Sequence, residues 1–167
     1  MDVVPAVVWD GRPVSSTMIR RAVAGGDLET AHACLGRWYA VTGEVVRGAG
    51  RGRGIGVPTV NLAPPDPRKL LPPDGVYAAL VVWRGERRGA MLNLGPRPTF
   101  GEASRTLEAH LFDFAGELVG ESVTVEFVRR LRDVMRFASV DALRLQLQRD
   151  RADAVRALTE VGAPVNL

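Results

Sequence analysis

From Arg37 onward, apolar residues recur at every second position in short runs, and turns containing Gly or Pro separate the runs. Tyr39, Val41, Gly43 and Val45 alternate with Ala40, Thr42 and Glu44. Val76 to Trp83 is a dense run rich in β-forming residues, and Gly89 to Leu94 makes a third segment. Leu107, Ala109 and Leu111 alternate with Thr106, Glu108 and His110, and Val123, Val125 and Phe127 alternate with Thr124 and Glu126. A period of two puts successive side chains on opposite faces of a strand. Parallel pairing needs a long crossover between strands, and no helical segment interrupts this stretch. The pattern therefore predicts an antiparallel barrel or sandwich. Arg84-Gly85-Glu86 and Phe114-Ala115-Gly116-Glu117 read as hairpin connections.

Helical signals flank this β region. Ser15-Ser16-Thr17 predicts a capped helix through Arg21 to Ala24, ended by Gly25-Gly26. Asp27 predicts the cap of a second helix, Leu28 to Leu35, closed by Gly36. These two helices carry too little apolar surface for a domain of their own. Ser139 predicts the cap of a longer helix to about Leu158, with Val140, Leu143, Leu147, Ala154 and Leu158 near one face. Val161 to Leu167 contains Gly162 and Pro164 and reads as an irregular tail.

The 167 residues suffice for one core without a disulfide or metal staple, and 46% of them are hydrophobic. No apolar run nears the ~20 residues of a membrane-spanning helix. Met1-Asp2-Val3-Val4 lacks the basic start of a secretory signal, and the single Cys34 cannot form an internal disulfide. A cytoplasmic location is the resulting expectation. Twenty-two basic residues face 19 acidic ones, for a net charge of +3. The acids are interspersed among the bases, which describes a mixed solvated surface better than a nucleic-acid patch. Twenty-one of the basic residues are Arg, whose planar fork matches phosphate oxygens.

Three stretches can carry chemistry. Between Gly48 and Gly56, glycine fills five of nine positions, at 48, 50, 52, 54 and 56, with Arg51 and Arg53 among them. Such a loop can turn its backbone N–H groups toward phosphates, but a flexible connection or an Arg-Gly contact to nucleic acid has the same composition. It is no Walker loop, and no register satisfies Gly-x-Gly-x-x-Gly. Pro58-Thr59-Val60-Asn61 follows directly. In an extended segment Thr59 and Asn61 point the same way, and their neutral oxygens are hard ligands of the kind Mg²⁺ takes. Glu108 and His110 share a strand face. A carboxylate there can accept a hydroxyl proton, although a solvent-facing Glu is the commoner case. His32, His110 and Cys34 assemble no zinc set, and Gly-x-Ser-x-Gly does not occur.

Taken together these segments resemble the riboflavin kinase family, in the form found in bacterial bifunctional FAD synthetases. The resemblance rests on Gly48 to Asn61, Leu70 to Tyr77, Asn93 to Gly101, Leu107 to Phe114, and Val125 to Arg132 followed by Phe137 and Asp150. The departures are small: Val60 and Val57 replace the usual Ala and Phe, Val119 stands where Tyr is frequent, and Gly54 loosens the loop. The resemblance implies a mainly β fold. It is an antiparallel Greek-key six-stranded β-barrel with a C-terminal α-helix and two short N-terminal helices. Residues 36–160 would form the kinase domain, residues 161–167 a tail, and residues 1–35 a hinge or remnant of an adenylyltransferase domain. The His-x-Gly-His motif of that domain does not occur in the chain.

The activity implied is transfer of the ATP γ-phosphate to the ribityl 5′-hydroxyl of riboflavin, giving FMN and ADP, with no FMN adenylyltransferase activity. A catalytically weak flavin-binding barrel is the alternative. Implied catalytic residues are Glu108 as base and Asn93 in support. Implied Mg²⁺ ligands are Thr59 and Asn61. Implied nucleotide and flavin contacts are Gly48, Gly50, Arg51, Gly52, Arg53, Gly54, Gly56, Pro58, Thr59, Asn61, Arg132 and Phe137, with Arg132 to Phe137 forming part of a flap over the flavin. The partners implied are small-molecule substrates, neither nucleic acid nor membrane, and the expected state is a monomer.

Overall fold

The computed structural model describes residues 5–48, 59–63, 66, 68–96 and 105–165. After a small hairpin of β1 (Val8–Trp9) and β2 (Arg12–Pro13) come α1 (Ser16–Gly25) and α2 (Leu28–Leu35). Six strands follow: β3 (Tyr39–Val46), β4 (Val60–Leu62), β5 (Gly75–Trp83), β6 (Glu86–Pro96), β7 (Arg105–Leu111) and β8 (Ser122–Arg132). The chain then forms α3 (Val140–Glu160). The six strands close an antiparallel barrel in the order β3-β4-β7-β6-β5-β8. Strands β5, β6 and β7 form a meander and β8 returns beside β5, which is Greek-key topology.

The caps behave as their chemistry requires. The Ser15 hydroxyl accepts from the Met18 N–H at 3.2 Å, and the Asp27 carboxylate accepts from the Thr30 N–H at 3.0 Å. Gly26 and Gly36 end the two helices with positive φ angles of 79° and 67°. Trp83 pairs with Glu86 across Arg84-Gly85, at φ 50° and 85°, so the turn twists in the sense that a two-residue hairpin needs. The expected hairpin at Phe114 to Glu117 is not one. Strand β7 pairs with β4 and β6, whereas β8 pairs with β3 and β5, so this connection crosses the end of the barrel. Short turn residues mark a change of direction, but closure of the barrel decides which strand the chain meets next.

Inward-facing residues from every strand fill the barrel, among them Tyr77, Ala79, Val81, Leu92, Leu94, Leu107, Ala109, Val125 and Phe127. Outside, α3 lays Ala154, Ala157 and Leu158 on Val76, Ala78, Leu80, Met91, Phe112 and Val128. Strand β5 thus has both faces covered, which is why Val76 to Trp83 reads as a continuous apolar run rather than an alternating one. The predicted stripe of α3 is shorter than expected. Packing on the outer cluster begins at Leu147, and Val140 stays exposed because only the later turns face the barrel. Helix α2 contributes Leu28 to the barrel core, and α1 and α2 close on Ile19, Tyr39 and Leu70.

Leu158 is fully buried between α3 and the outer sheet face. Its truncation to Ala is expected to cost ~2–5 kcal/mol, read as a lower urea midpoint with unchanged slope.

Candidate active site

Strand β7 lies between β4 and β6, and one rung of this three-strand patch carries three polar side chains. Asn61 stands opposite Glu108, and Glu108 stands opposite Asn93. Directly opposed residues share a sheet face, with Cβ atoms ~4.5–5.5 Å apart. Leu107 and Ala109 point into the core, so Glu108 between them points outward. The same alternation puts Asn93 outside between Leu92 and Leu94. Helix α3 covers β5, β8 and part of β6 and leaves this patch uncovered. Glu108 is half-buried and Asn93 exposed.

Thr59 and Asn61 line a cavity of about 370 Å³ at the barrel end. Its apolar wall includes Val45, Val60, Leu111, Phe114 and Leu118, and Arg47, Thr59, Asn61 and Glu117 supply polar groups. An apolar wall with a few polar groups suits a flat heterocycle carrying a charged tail. Gly48 also lines it, pressed against Asn61: a Cβ on Gly48 would fall inside the Asn61 carboxamide. Glycine is required here for close approach, because any side chain would displace the carboxamide.

Two hydroxyl and carboxamide oxygens two residues apart, on one side of a strand and at a cavity wall, fit a hard divalent cation that also binds ligand oxygens. Among the described residues there is no cluster of three or more His, Cys, Asp or Glu side chains able to hold a metal without a ligand's help.

The expected residues fall into three groups. Gly48, Thr59, Asn61, Glu108 and Asn93 come together around the cavity and the outer rung. Arg132 and Phe137 lie farther along, at the end of β8 and just beyond it. There the Arg132 guanidinium sits 5.9 Å from the Phe137 ring and pairs with Asp150 on α3. Gly50, Arg51, Gly52, Arg53, Gly54, Gly56 and Pro58 lie outside the described residues.

Sequence reasoning did not single out Phe114, Leu118 and Val119 as cavity residues. The available signal was large apolar side chains in a segment otherwise reading as a turn. Phe114 is braced from behind by Trp83, edge to face at 6.3 Å. Trp83 Nε1 donates to Glu121 at 2.9 Å, and Arg84 donates to the same carboxylate at 2.9 Å. The indole bond above all, then the Arg84 bond and charge, holds the Glu121 carboxyl below its usual range.

The fold is a closed Greek-key barrel with a carboxylate–carboxamide rung outside and a cavity at one end, so its candidate site is built on strands. A family model described as Flavokinase (riboflavin kinase) matches residues 35–158. The chain belongs to the riboflavin kinase family. It is 40% identical over 142 residues to a bifunctional riboflavin kinase/FMN adenylyltransferase of Haemophilus influenzae, covering 84% of this chain and 46% of the relative. It is 40% identical over 158 residues to the protein of that description from Pseudomonas fluorescens, covering 94% and 50%. The chain thus spans about half the length of these relatives.

A solved structure described as a macrolide-efflux protein from Streptococcus pneumoniae matches with a TM-score of 0.83 and 38% identity, covering 90% of this chain and 49% of that one. The riboflavin kinase of Trypanosoma brucei shares the fold, with a TM-score of 0.53 and 20% identity over 74% of this chain and 81% of that one. Among the described residues no helix is long and apolar enough to cross a membrane.

The Glu121 carboxylate is expected to release Trp83 only as the pH falls below the usual carboxylate range. Trp83 fluorescence should show an acid step with a midpoint under 4.5, and Glu121→Gln should abolish that step.

Proposed function

We propose that this chain transfers the γ-phosphate of ATP to the terminal ribityl hydroxyl of riboflavin, forming FMN and ADP. The carrying observation is the rung: Glu108 is flanked by Asn61, which also lines the cavity, and by Asn93. In a chain of the riboflavin kinase family, this sets a proton acceptor beside a place for nucleotide phosphates. Phosphoryl transfer asks a protein mainly for alignment and charge neutralisation.

The cavity receives the adenine end of ATP against Val45, Leu111, Phe114 and Leu118. Arg47 in its lining meets the phosphates, and the glycines and arginines at 50–56 supply the N–H groups and charge that phosphates take. Thr59 and Asn61 would hold Mg²⁺, which when bound neutralises phosphate charge. Gly48 leaves the space that the Asn61 carboxamide occupies. Glu108 accepts the ribityl hydroxyl proton through a carboxylate oxygen, and Asn93 orients the hydroxyl-bearing end of the substrate. Rigid strands carry all three rung residues, so the acceptor needs no loop movement to reach its position.

In this reading residues 36–160 carry the kinase. Residues 1–35, whose helices α1 and α2 pack on the barrel, are a hinge or remnant of an adenylyltransferase domain. The expected setting is the cytoplasm, with the chain as a monomer acting on small molecules.

The test is incubation with riboflavin and MgATP, with the flavins resolved by chromatography. FMN without FAD is the expected pattern for these 167 residues. Retained flavin with no FMN would instead indicate a binding barrel. Glu108→Gln should lower turnover ~10²-fold or more with riboflavin affinity retained, and near-normal turnover would remove Glu108 from the role. Gly48→Ala should raise the KM for MgATP ~10-fold by displacing Asn61, with little change in the KM for riboflavin.

A further inference from the structure

The rung that carries Asn61, Glu108 and Asn93 continues around the barrel. Asn93 stands opposite Val76, and Val76 stands opposite Arg132. Val76 faces outward against α3, so Arg132 occupies the same outer face. Adjacent strands are ~4.8 Å apart, which sets the backbone of Arg132 ~10 Å from that of Asn93. A register shift between Val76 and Tyr77 produces this placement: Tyr77 pairs with Arg130, Val76 pairs with Arg132, and Leu131 is the extra residue. Without the bulge, Leu131 would take the place opposite Val76 and Arg132 would turn to the other face.

On the outer face Arg132 bonds to protein through all three of its nitrogens. Its Nε donates to Asp150 Oδ1 at 2.8 Å and its Nη2 to Asp150 Oδ2 at 2.6 Å. Its Nη1 donates to the Asp133 carbonyl at 2.7 Å. The Gln146 amide donates to Asp150 Oδ1 at 2.8 Å. Asp150 is 2% exposed and the Arg132 side chain 18%. Past Arg132 the chain has no regular structure until Ser139. It lays Val134 beside Gly95 of β6, where a Cβ would meet Val134 Cγ2 at 3.6 Å. Val134 and Met135 are 46% and 49% exposed and both apolar, and Val134 lies next to the strand that carries Asn93.

We infer that Asp150 is a positioning residue for the flavin substrate. It anchors Arg132, and Arg132 anchors the segment Val134 to Phe137 beside the end of the rung remote from Asn61. Arg132 thus acts as a strut between α3 and this segment, since each of its nitrogens donates to a protein acceptor on one or the other. A substrate whose hydroxyl lies at Glu108 runs along the rung past Asn93 toward Val134 and Met135. An apolar ring system needs such a cover, and ATP at the opposite end does not. The inference rests on the riboflavin kinase reading of the rung.

The experiment compares Asp150→Asn, Arg132→Lys and wild type in the full chain. FMN formation by the wild type tests the underlying reading separately. Given that activity, each variant should raise the riboflavin KM ~10-fold, with kcat and the MgATP KM within ~2-fold of wild type. Combining the two should add little, because they break one bidentate pair. Arg136 is exposed within the segment, so tryptic cleavage after it should quicken in both variants while the melt remains cooperative.

An Arg132→Met/Asp150→Leu variant removes both charges together, so that neither is left buried without the other. It should show the same KM rise if either single variant fails to fold. Equal losses in kcat and in both KM values, or unchanged KM values with unchanged cleavage, would overturn the inference. A KM rise for Arg132→Lys with none for Asp150→Asn would also overturn it, and would place Arg132 in direct contact with substrate.

Discussion

Strand pairing around β7 is the constraint on which the candidate site depends. Because Asn61, Glu108 and Asn93 occupy matching register positions on β4, β7 and β6, they face one way at strand spacing. None of the three needs a side-chain hydrogen bond to hold that order. The backbone ladder sets it, and the buried alternation of Leu107, Ala109 and Leu111 locks it. A slip of one residue in β7 would send those apolar side chains to solvent and Glu108 into the core. The stability of the barrel interior and the placement of the proposed base are therefore one property.

The outer face of the barrel is divided by α3. Over β5, β8 and part of β6 the helix supplies Ala154, Ala157 and Leu158, and that half is a second core. Among the described residues no helix packs over β4 and β7, and the polar rung is partly exposed there. Within the covered half, at the end of β8, Arg132 meets Asp150. A buried carboxylate with no partner would be costly, and this one is satisfied by a two-pronged guanidinium and an amide. The polar interaction that docks α3 thus sits on the same rung as the proposed chemistry.

Much of the architecture was legible in the sequence, for reasons that differ by element. The caps at Ser15, Asp27 and Ser139 act over three residues, so local chemistry decides them. Strands β3, β7 and β8 alternate because one face is buried, and β5 is legible as a strand because both faces are. Strand β4 was harder to recognise: three residues make no period, and Val60–Leu62 becomes a strand only through pairing with β3 and β7. Phe114 to Glu117 has turn composition, yet its ends lie on strands that do not pair, and Phe114 serves as a cavity wall.

Residue spacing alone already implied that Thr59 and Asn61 share a side and that Glu108 stands on a strand face, because alternation is a local rule. The order of β7 between β4 and β6, which makes neighbours of Asn61, Glu108 and Asn93, came only from closure of the barrel. The direction of Arg132 came only from a bulge opposite Val76, and its partner Asp150 lies 18 residues on, in another element. Periodicity reports which face a side chain takes within one segment. Which segments are neighbours, and where an extra residue reverses the alternation, depends on contacts between parts of the chain that no local pattern encodes.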